Sequence, residues 1–127
     1  MNDREKSKFI FKNFKEKYRI NDFDIPGIKK LPMMIRNNGL ISSLEYFIKK
    51  FKNVKNKNKK YMLTLRFVCD YISYTWFNSK GVKEIEIVNK VMELDSSSYM
   101  FLQKDVYDFS IQLRNLISVL EKGEDLK

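Results

Sequence analysis

Seven lysines and no acidic residue lie within positions 49–60, and this cluster is the strongest chemical feature of the sequence. Lysine ammonium groups neutralise phosphates without reading base sequence, and binding releases counterions from the nucleic acid. The cluster therefore predicts a sequence-independent contact with a phosphate backbone. For the loop taken alone, a solvated segment that keeps the protein soluble is an equally good explanation. The candidate residues are Lys49, Lys50, Lys52, Lys55, Lys57, Lys59 and Lys60.

Charge is divided unevenly between the two halves of the chain. Residues 1–60 carry 17 Lys and Arg against 6 Asp and Glu, a balance of +11. Residues 61–127 carry 8 against 10, a balance of −2, and the sum is the net charge of +9. This asymmetry indicates an anionic partner for the first half and favours a contact over mere solubility. Arg36 joins the lysines as a candidate nucleic-acid-binding residue.

Aromatic residues are numerous, but most of them follow helical periodicity. Trp76 and Phe109 fall on apolar stripes and are predicted to be core residues. Tyr46 and Tyr61 flank the lysine cluster and are better candidates for stacking on bases, although packing at the core boundary is favoured for both.

Residues for catalysis or metal binding are scarce. The chain has no histidine and a single cysteine, Cys69, which lies among apolar residues and is predicted to be buried. The carboxylate pairs Glu84/Glu86 and Asp105/Asp108 are expected to be solvated. Nucleotide-binding and hydrolase motifs are missing from the sequence. We therefore expect a protein that is not an enzyme and that takes no metal, cofactor or small-molecule substrate.

The distribution of apolar residues bears on where the protein works. No apolar run approaches the roughly 18 residues that a membrane span requires. The polar N-terminal residues do not have the pattern of a signal peptide. The sequence therefore predicts a cytoplasmic protein without a membrane partner.

Helical periodicity extends along most of the chain and predicts an all-α fold, a single compact bundle of about six helices in one domain, residues 1–127. Helices are predicted over 3–19, 29–37, 40–52, 60–78, 82–94 and 96–122, with loops at 20–28 and 53–59; the second loop is the exposed, lysine-rich one. The six apolar stripes predicted to face the core are, in chain order, Ile10, Phe14 and Tyr18; Leu31, Met34 and Ile35; Leu40, Leu44, Phe47, Ile48 and Phe51; Tyr61, Leu65, Val68, Ile72 and Trp76; Ile85, Val88 and Val91 or Met92; and Leu102, Val106, Phe109, Leu113, Leu116 and Leu120.

Helix ends follow from residue type. Asp3 is predicted to cap the first helix, and Asp95 or Ser96 the last. Pro32 is placed in the first turn of the second helix, where its missing donor costs nothing. Gly39 ends that helix because glycine adopts positive φ cheaply, and Gly123 is predicted to end the last one.

The stretch over 29–50, KKLPMMIRNNGLISSLEYFIKK, resembles the signature of the small subunit of CRISPR type III-B effector complexes, the Cmr family. The matching positions that define this structural signature are Leu31, Pro32, Ile35, Asn38, Gly39 and Leu40, with Leu44 and Phe47 after them. In the family, a Tyr, a Thr and a Glu open the final helix, and here Tyr99, Gln103 and Asp105 occupy similar places. The tryptophan common in the family's last helix is missing.

The resemblance implies a role. Small subunits of this family are helical bundles, present in several copies, that brace the backbone subunits holding the guide RNA and help to form the channel for target RNA. Catalysis belongs to other subunits. The partners implied are other CRISPR effector subunits, further copies of this chain, and guide or target RNA.

Three alternatives remain at this point. The small subunit of the related type III-A complex is also helical and basic. A DNA-binding regulator would use the two helices around Asn38 and Gly39 as a helix-turn-helix, although Ser42, Ser43 and Glu45 make a poor base-reading surface. A membrane-surface protein would place the lysines on anionic lipid.

Overall fold

The computed structural model describes residues 2–16, 19–53, 59–78 and 83–125. In these ranges the chain is helical and contains no strand, so the all-α prediction is confirmed. A 3-10 turn, Ile20–Asp22, precedes the second helix, and a π-helical segment, Ser73–Phe77, continues the fourth. The α-helices are α1 (Asp3–Glu16), α2 (Ile25–Asn38), α3 (Leu40–Asn53), α4 (Lys59–Ile72), α5 (Glu84–Met92) and α6 (Ser96–Asp125).

The long helix α6 is the element against which the others assemble. α1 and α2 pack along it, α3 packs against α4, and α5 covers α3 and α4. The predicted stripe of α6 is buried at its first four positions and half-buried at Leu116 and Leu120, while Ile117 is fully buried. The apolar interior forms two clusters, one around α3 and α5 and one, rich in aromatic rings, around α1.

Helix α4 is central and buries two of its faces, whereas the sequence predicted a single apolar stripe. Leu65, Val68 and Ile72 lie in the first cluster, as predicted. Phe67 and Tyr71 lie in the second, where the Tyr71 ring stacks on Phe109 with 3.9 Å between centroids. A helix packed on both sides needs two apolar stripes, and a single-stripe interpretation finds only the more regular one.

Asp105 is largely buried, and the prediction that it is solvated was wrong. Its side chain is 14% exposed and accepts hydrogen bonds from the Tyr71 hydroxyl at 3.1 Å and from Trp76 Nε1 at 2.7 Å. The ammonium of Lys6, whose side chain is 4% exposed, lies 3.1 Å from Asp105 Oδ1. A buried carboxylate is tolerated only when it is paired and hydrogen-bonded in this way. Burial, and next the adjacent Asp105 carboxylate, raise the pKa of the Tyr71 hydroxyl.

The second helix begins earlier than predicted. Ile25, not position 29, is its first residue, and Pro26 occupies the first turn, where no backbone donor is needed. Pro32 lies in the helix interior, so its predicted first-turn position was wrong. The absence of an N–H at Pro32 removes one helical hydrogen bond, and its ring is buried against the bundle instead.

Three other boundaries concern caps. Asn2, not Asp3, caps α1, because its Oδ1 accepts the Glu5 N–H at 2.9 Å. Asp95 caps α6 as predicted. It accepts the Ser98 N–H at 2.8 Å and the Ser98 hydroxyl at 3.2 Å, and these two hydrogen bonds lower the pKa of the Asp95 carboxyl. α6 runs through Gly123 to Asp125, so that glycine does not end it. The first helix was predicted to reach position 19; α1 is described over Asp3–Glu16, residues 17 and 18 lie outside the described ranges, and Arg19 is extended.

Some predictions lie outside the described residues or side chains. They concern most of the loop at 53–59, the stop at 79–81, and the side chains of Phe14, Tyr18 and Phe51. In α5, Ile87, Val88 and Val91 are buried, whereas Ile85, predicted to be apolar core, is 53% exposed. In the described part of the chain, every helix is too short or too polar to cross a membrane.

We predict that Asp105→Ala lowers the free energy of unfolding by about 3–5 kcal/mol, because it removes the nearer and less exposed of the two carboxylates that pair with the buried Lys6 ammonium. Asp108→Ala is the matched control, since that carboxylate is 39% exposed and 3.8 Å from the same ammonium; we expect about 0–1 kcal/mol. Urea unfolding of both variants measures the difference, and equal losses would contradict a special role for Asp105.

Candidate functional site

The described lysines of the cluster lie at one end of the bundle. Lys49, Lys50 and Lys52 are exposed near the end of α3, and Lys60 is exposed at the start of α4. α3 and α4 pack against each other and follow one another in the chain, so these four residues lie at the same end of the helix pair. Lys55, Lys57 and the side chain of Lys59 lie outside the described residues.

These lysines also have a structural use. Lys50 and Lys52 lie in the last turn of α3, where positive charge offsets the partial negative charge of the helix end. The Lys50 ammonium lies 5.5 Å from the centroid of the Tyr46 ring, a cation–π contact. Tyr46 and Tyr61 are both half-buried and packed against the first cluster, the arrangement that the sequence favoured over base stacking.

Arg36 does not join the lysines. It is exposed in the last turn of α2, immediately before the start of α3, whereas Lys50 lies ten residues into α3. At 1.5 Å per residue, that helix separates them by about 15 Å along its axis. The predicted set of nucleic-acid-binding residues is therefore divided between two ends of α3.

Arg36 instead lines an open groove between the end of α2 and the first turns of α6. The groove encloses about 790 Å³ and is bordered also by Ile35, Met100, Phe101 and Lys104. Met100 is 69% exposed and Phe101 70% exposed, so α6 presents apolar side chains outward here. Sequence reasoning missed this surface because its lining residues on α2 and on α6 are more than 60 positions apart in the chain.

The signature residues form the joint between α2 and α3. Leu31, Pro32, Ile35 and Leu40 are buried, Asn38 is exposed, and Gly39 is the single residue between the helices. Gly39 has φ +88° and ψ 164°, a conformation essentially restricted to glycine. These residues shape the fold, as their apolar character predicts.

Two residues of α6 satisfy the first backbone donors of α3. Gln103 Oε1 accepts the Leu40 N–H at 2.9 Å, and the Tyr99 hydroxyl oxygen accepts the Ile41 N–H at 3.2 Å. The first amides of a helix have no partner within it, so these contacts cap α3 from a neighbouring helix. Tyr99 and Gln103 occupy the places that the sequence comparison set beside the family's Tyr and Thr, with Gln103 departing from the usual Thr, and their capping of α3 was not predicted.

The described residues hold no group of three or more Cys, Asp and Glu side chains able to bind a metal ion. Cys69 is buried, as predicted. Burial, and next the nearby Glu84 and Asp70 carboxylates, raise the pKa of its thiol, which keeps it protonated and unreactive. Glu84 is half-buried and pairs with Arg66 at 2.6 Å, so it is not the freely solvated charge that was expected.

The geometry defines a class of protein: a helical bundle with a basic end and an apolar groove, whose signature residues make a helix joint. The family model for the CRISPR-associated protein (Cas_Cmr5) matches residues 4–117. The chain therefore belongs to the CRISPR-associated Cmr5 family, which confirms the resemblance to the Cmr small subunit. A protein of this family is a component of a CRISPR effector complex containing other subunits. No curated protein and no solved structure matches the chain.

We predict that Gly39→Ala destabilises the fold by about 1–3 kcal/mol, because alanine is strained at this positive φ. The added methyl would also approach Gln103 Oε1 to 3.4 Å. Asn38→Ala, one residue earlier in helical and exposed backbone, is the control and should change stability by less than about 0.5 kcal/mol. Thermal unfolding followed by circular dichroism compares the two; an equally stable Gly39→Ala protein would contradict the strain argument.

Proposed function

We propose that this chain is the noncatalytic small subunit of a type III-B CRISPR RNA-guided antiviral effector, working in the cytoplasm. It braces the backbone subunits and contacts RNA through basic residues. The observation that carries the RNA contact is the convergence of Lys49, Lys50, Lys52 and Lys60 on one end of the α3–α4 pair. Membership of the CRISPR-associated Cmr5 family supports RNA as the anionic partner of that surface.

The chemistry of this surface fits sequence-independent binding. Ammonium groups at the ends of two packed helices are held by a rigid frame, and each neutralises a phosphate without addressing a base edge. A guide-dependent effector needs this behaviour because its target sequence varies while the backbone geometry does not. Arg36 remains a candidate RNA contact in the proposal, separate from the lysines.

A bracing role agrees with the way in which the bundle is held together. α6 packs against α1, α2 and α3, and the Asp105 network joins α1, α4 and α6. These contacts between helices support treating the chain as one domain over 1–127. A noncatalytic role is supported by the residues present: the chain has no histidine, and its one cysteine is buried.

A DNA-binding regulator is less well supported. In a helix-turn-helix protein, the first residues of the second helix face the major groove. Here the first turn of α3 is only partly accessible: Ser42 is exposed, but Leu40 is buried and its N–H is held by Gln103 of α6. Ser43 is 1% exposed and donates from Oγ to the Gly39 carbonyl at 2.8 Å. Membership of the Cmr5 family also disfavours the type III-A and membrane-surface alternatives.

Purification of the tagged protein from its native cells tests the assignment. We expect several other effector subunits by mass spectrometry and short guide RNAs by sequencing. Recovery of the protein alone, or with DNA or lipid, would contradict the proposed role.

Replacing Lys49, Lys50, Lys52 and Lys60 with Ala should weaken RNA association and flatten its salt dependence. Each lost phosphate contact lowers the slope of log K against log salt concentration by about 0.7 on single strands. Fluorescence anisotropy with labelled single-stranded RNA over a salt series measures this slope for the purified effector.

The matched control replaces Lys83 and Lys90 with Ala. Both residues are exposed but belong to the half of the chain with a net charge of −2. Their loss should leave the slope unchanged. An unchanged slope in the variant lacking the four cluster lysines would exclude that surface as the RNA contact.

A further inference from the structure

The outer face of α1 carries a basic stripe that lies apart from the lysines of α3 and α4. Arg4, Lys8 and Lys12 follow one another at intervals of four residues and are exposed. On a helix with 3.6 residues per turn, such positions lie on one face. Lys6 and Ile10, on the opposite side of α1, are buried in the bundle, so the three cations of the stripe point toward solvent.

An exposed aromatic ring lies within this stripe. Phe11 is 55% exposed, and it follows Lys8 by three residues and Arg4 by seven, on the same face of α1. Tyr74 adds a second ring beside α1, since it is 51% exposed and its centroid lies 5.8 Å from that of the half-buried Phe9. Cations together with aromatic rings are the combination that binds single-stranded nucleic acid, because the charges meet phosphates and the rings stack on bases.

α1 also runs toward the end of the bundle that carries the described lysines. Near its start, the buried ion pair of Lys6 joins the network that holds Trp76, beyond the last residue of α4. The chain that follows α1 reaches the other end of α4, where the Asp24 N–H donates to Thr64 Oγ1 at 3.0 Å, one turn after Lys60. The stripe therefore leads along the bundle toward the lysines of α3 and α4.

We propose that the outer face of α1 is a second RNA-binding surface and that it selects unpaired RNA. Arg4, Lys8 and Lys12 bind successive phosphates of one strand, and its bases stack on the rings of Phe11 and Tyr74. The same strand continues toward the lysines of α3 and α4. The inference rests on the proposed function, in which those lysines contact RNA, and it adds the path of the strand and the state of RNA that is bound.

The rings account for the preference for unpaired RNA. In a duplex the bases are stacked on one another, and the deep, narrow major groove of an A-form helix excludes side chains. In a single strand a base can leave its neighbours and stack on an aromatic side chain. Four residues of helix separate neighbouring cations of the stripe by about 6 Å, close to the spacing of phosphates along an extended strand. Paired RNA meets the charges alone and should bind more weakly.

An acidic protein surface fits the stripe less well than RNA does. Lysine is depleted in protein interfaces relative to the rest of the surface, whereas contacts with phosphates use it regularly. Among the residues of α1 whose side chains are described, Glu5 is the one exposed acid, and three exposed cations outnumber it. Binding of an acidic protein is a competing outcome of the test below.

Fluorescence anisotropy of the full-length chain with labelled single-stranded RNA tests the stripe over a salt series. Replacing Arg4, Lys8 and Lys12 with Ala should reduce the slope of log K against log salt concentration by about 2, since three phosphate contacts are lost at about 0.7 each. A charge-retaining variant, Arg4→Lys with Lys8→Arg and Lys12→Arg, should keep the wild-type slope. Because all three side chains are exposed, both variants should unfold at the wild-type temperature.

The aromatic part of the surface has its own comparison. Phe11→Ala combined with Tyr74→Ala should weaken binding of single-stranded RNA by about 5- to 100-fold, as expected for the loss of stacked bases, and should leave binding of an RNA duplex unchanged. Met33→Ala is the control, because Met33 is 68% exposed on a different helix, α2. Equal losses for single-stranded and duplex RNA would overturn the preference for unpaired RNA.

Ultraviolet crosslinking locates the contact in the purified effector, where we expect RNA-crosslinked peptides that contain Phe11. A wild-type chain that does not bind RNA, an unchanged slope in the Ala variant of the stripe, or an effector without crosslinks in α1 would overturn the inference. So would a stripe variant that loses a protein subunit from the effector while its RNA binding is unchanged, since the occupant is then an acidic protein.

Failure of this inference is distinguishable from failure of the proposed function. If the variant lacking the four lysines of α3 and α4 loses its salt dependence and the stripe variant does not, RNA contacts the lysines and not α1. Recovery of the tagged protein with effector subunits and guide RNA is independent of either variant and judges the proposed function separately.

Discussion

One largely buried carboxylate, Asp105, links three elements of this bundle because it must be neutralised and hydrogen-bonded. Asp105 lies where α1, α6 and the end of α4 meet, and its partners come from each of the other two elements. Tyr71 and Trp76 are five residues apart, which would place them about 140° apart on an α-helix. The π-helical segment over Ser73–Phe77 brings residues at this spacing into line, so both side chains reach the same carboxylate.

The fold was predictable where helices bury one stripe. In α3, Leu40, Leu44 and Phe47 are buried as their spacing indicated, and so are most of the predicted apolar positions of α6, because a helix with one apolar side has only one way to face a core. Prediction failed for residues whose surroundings are formed by segments distant in the sequence. Nothing in the local sequence of Asp105 distinguishes it from a solvated acid, since Lys6 lies 99 positions earlier. The interior position of Pro32 likewise depends on an early helix start at Ile25.

The candidate site divides in the same way. The lysines of α3 and α4 are exposed at one end, as a run of charge around a predicted loop suggests, whereas Arg36 lies at the other end of α3. Arg36 was predicted as a site residue from its charge, but its neighbours in the fold could not be predicted from the sequence. The groove between α2 and α6 and the capping roles of Tyr99 and Gln103 depend on packing between distant segments, which residue type and spacing do not encode.

The joint at Gly39 has a consequence for the local dynamics of the chain. In an ordinary helix the first amides bond to water, and their protons exchange readily with solvent. Here the amides of Leu40 and Ile41 are bonded to side chains of α6. Their exchange with solvent therefore requires α6 to separate from α3, and it is governed by that opening and not by fraying of α3. Two backbone protons at the start of one helix thus report whether another helix is docked.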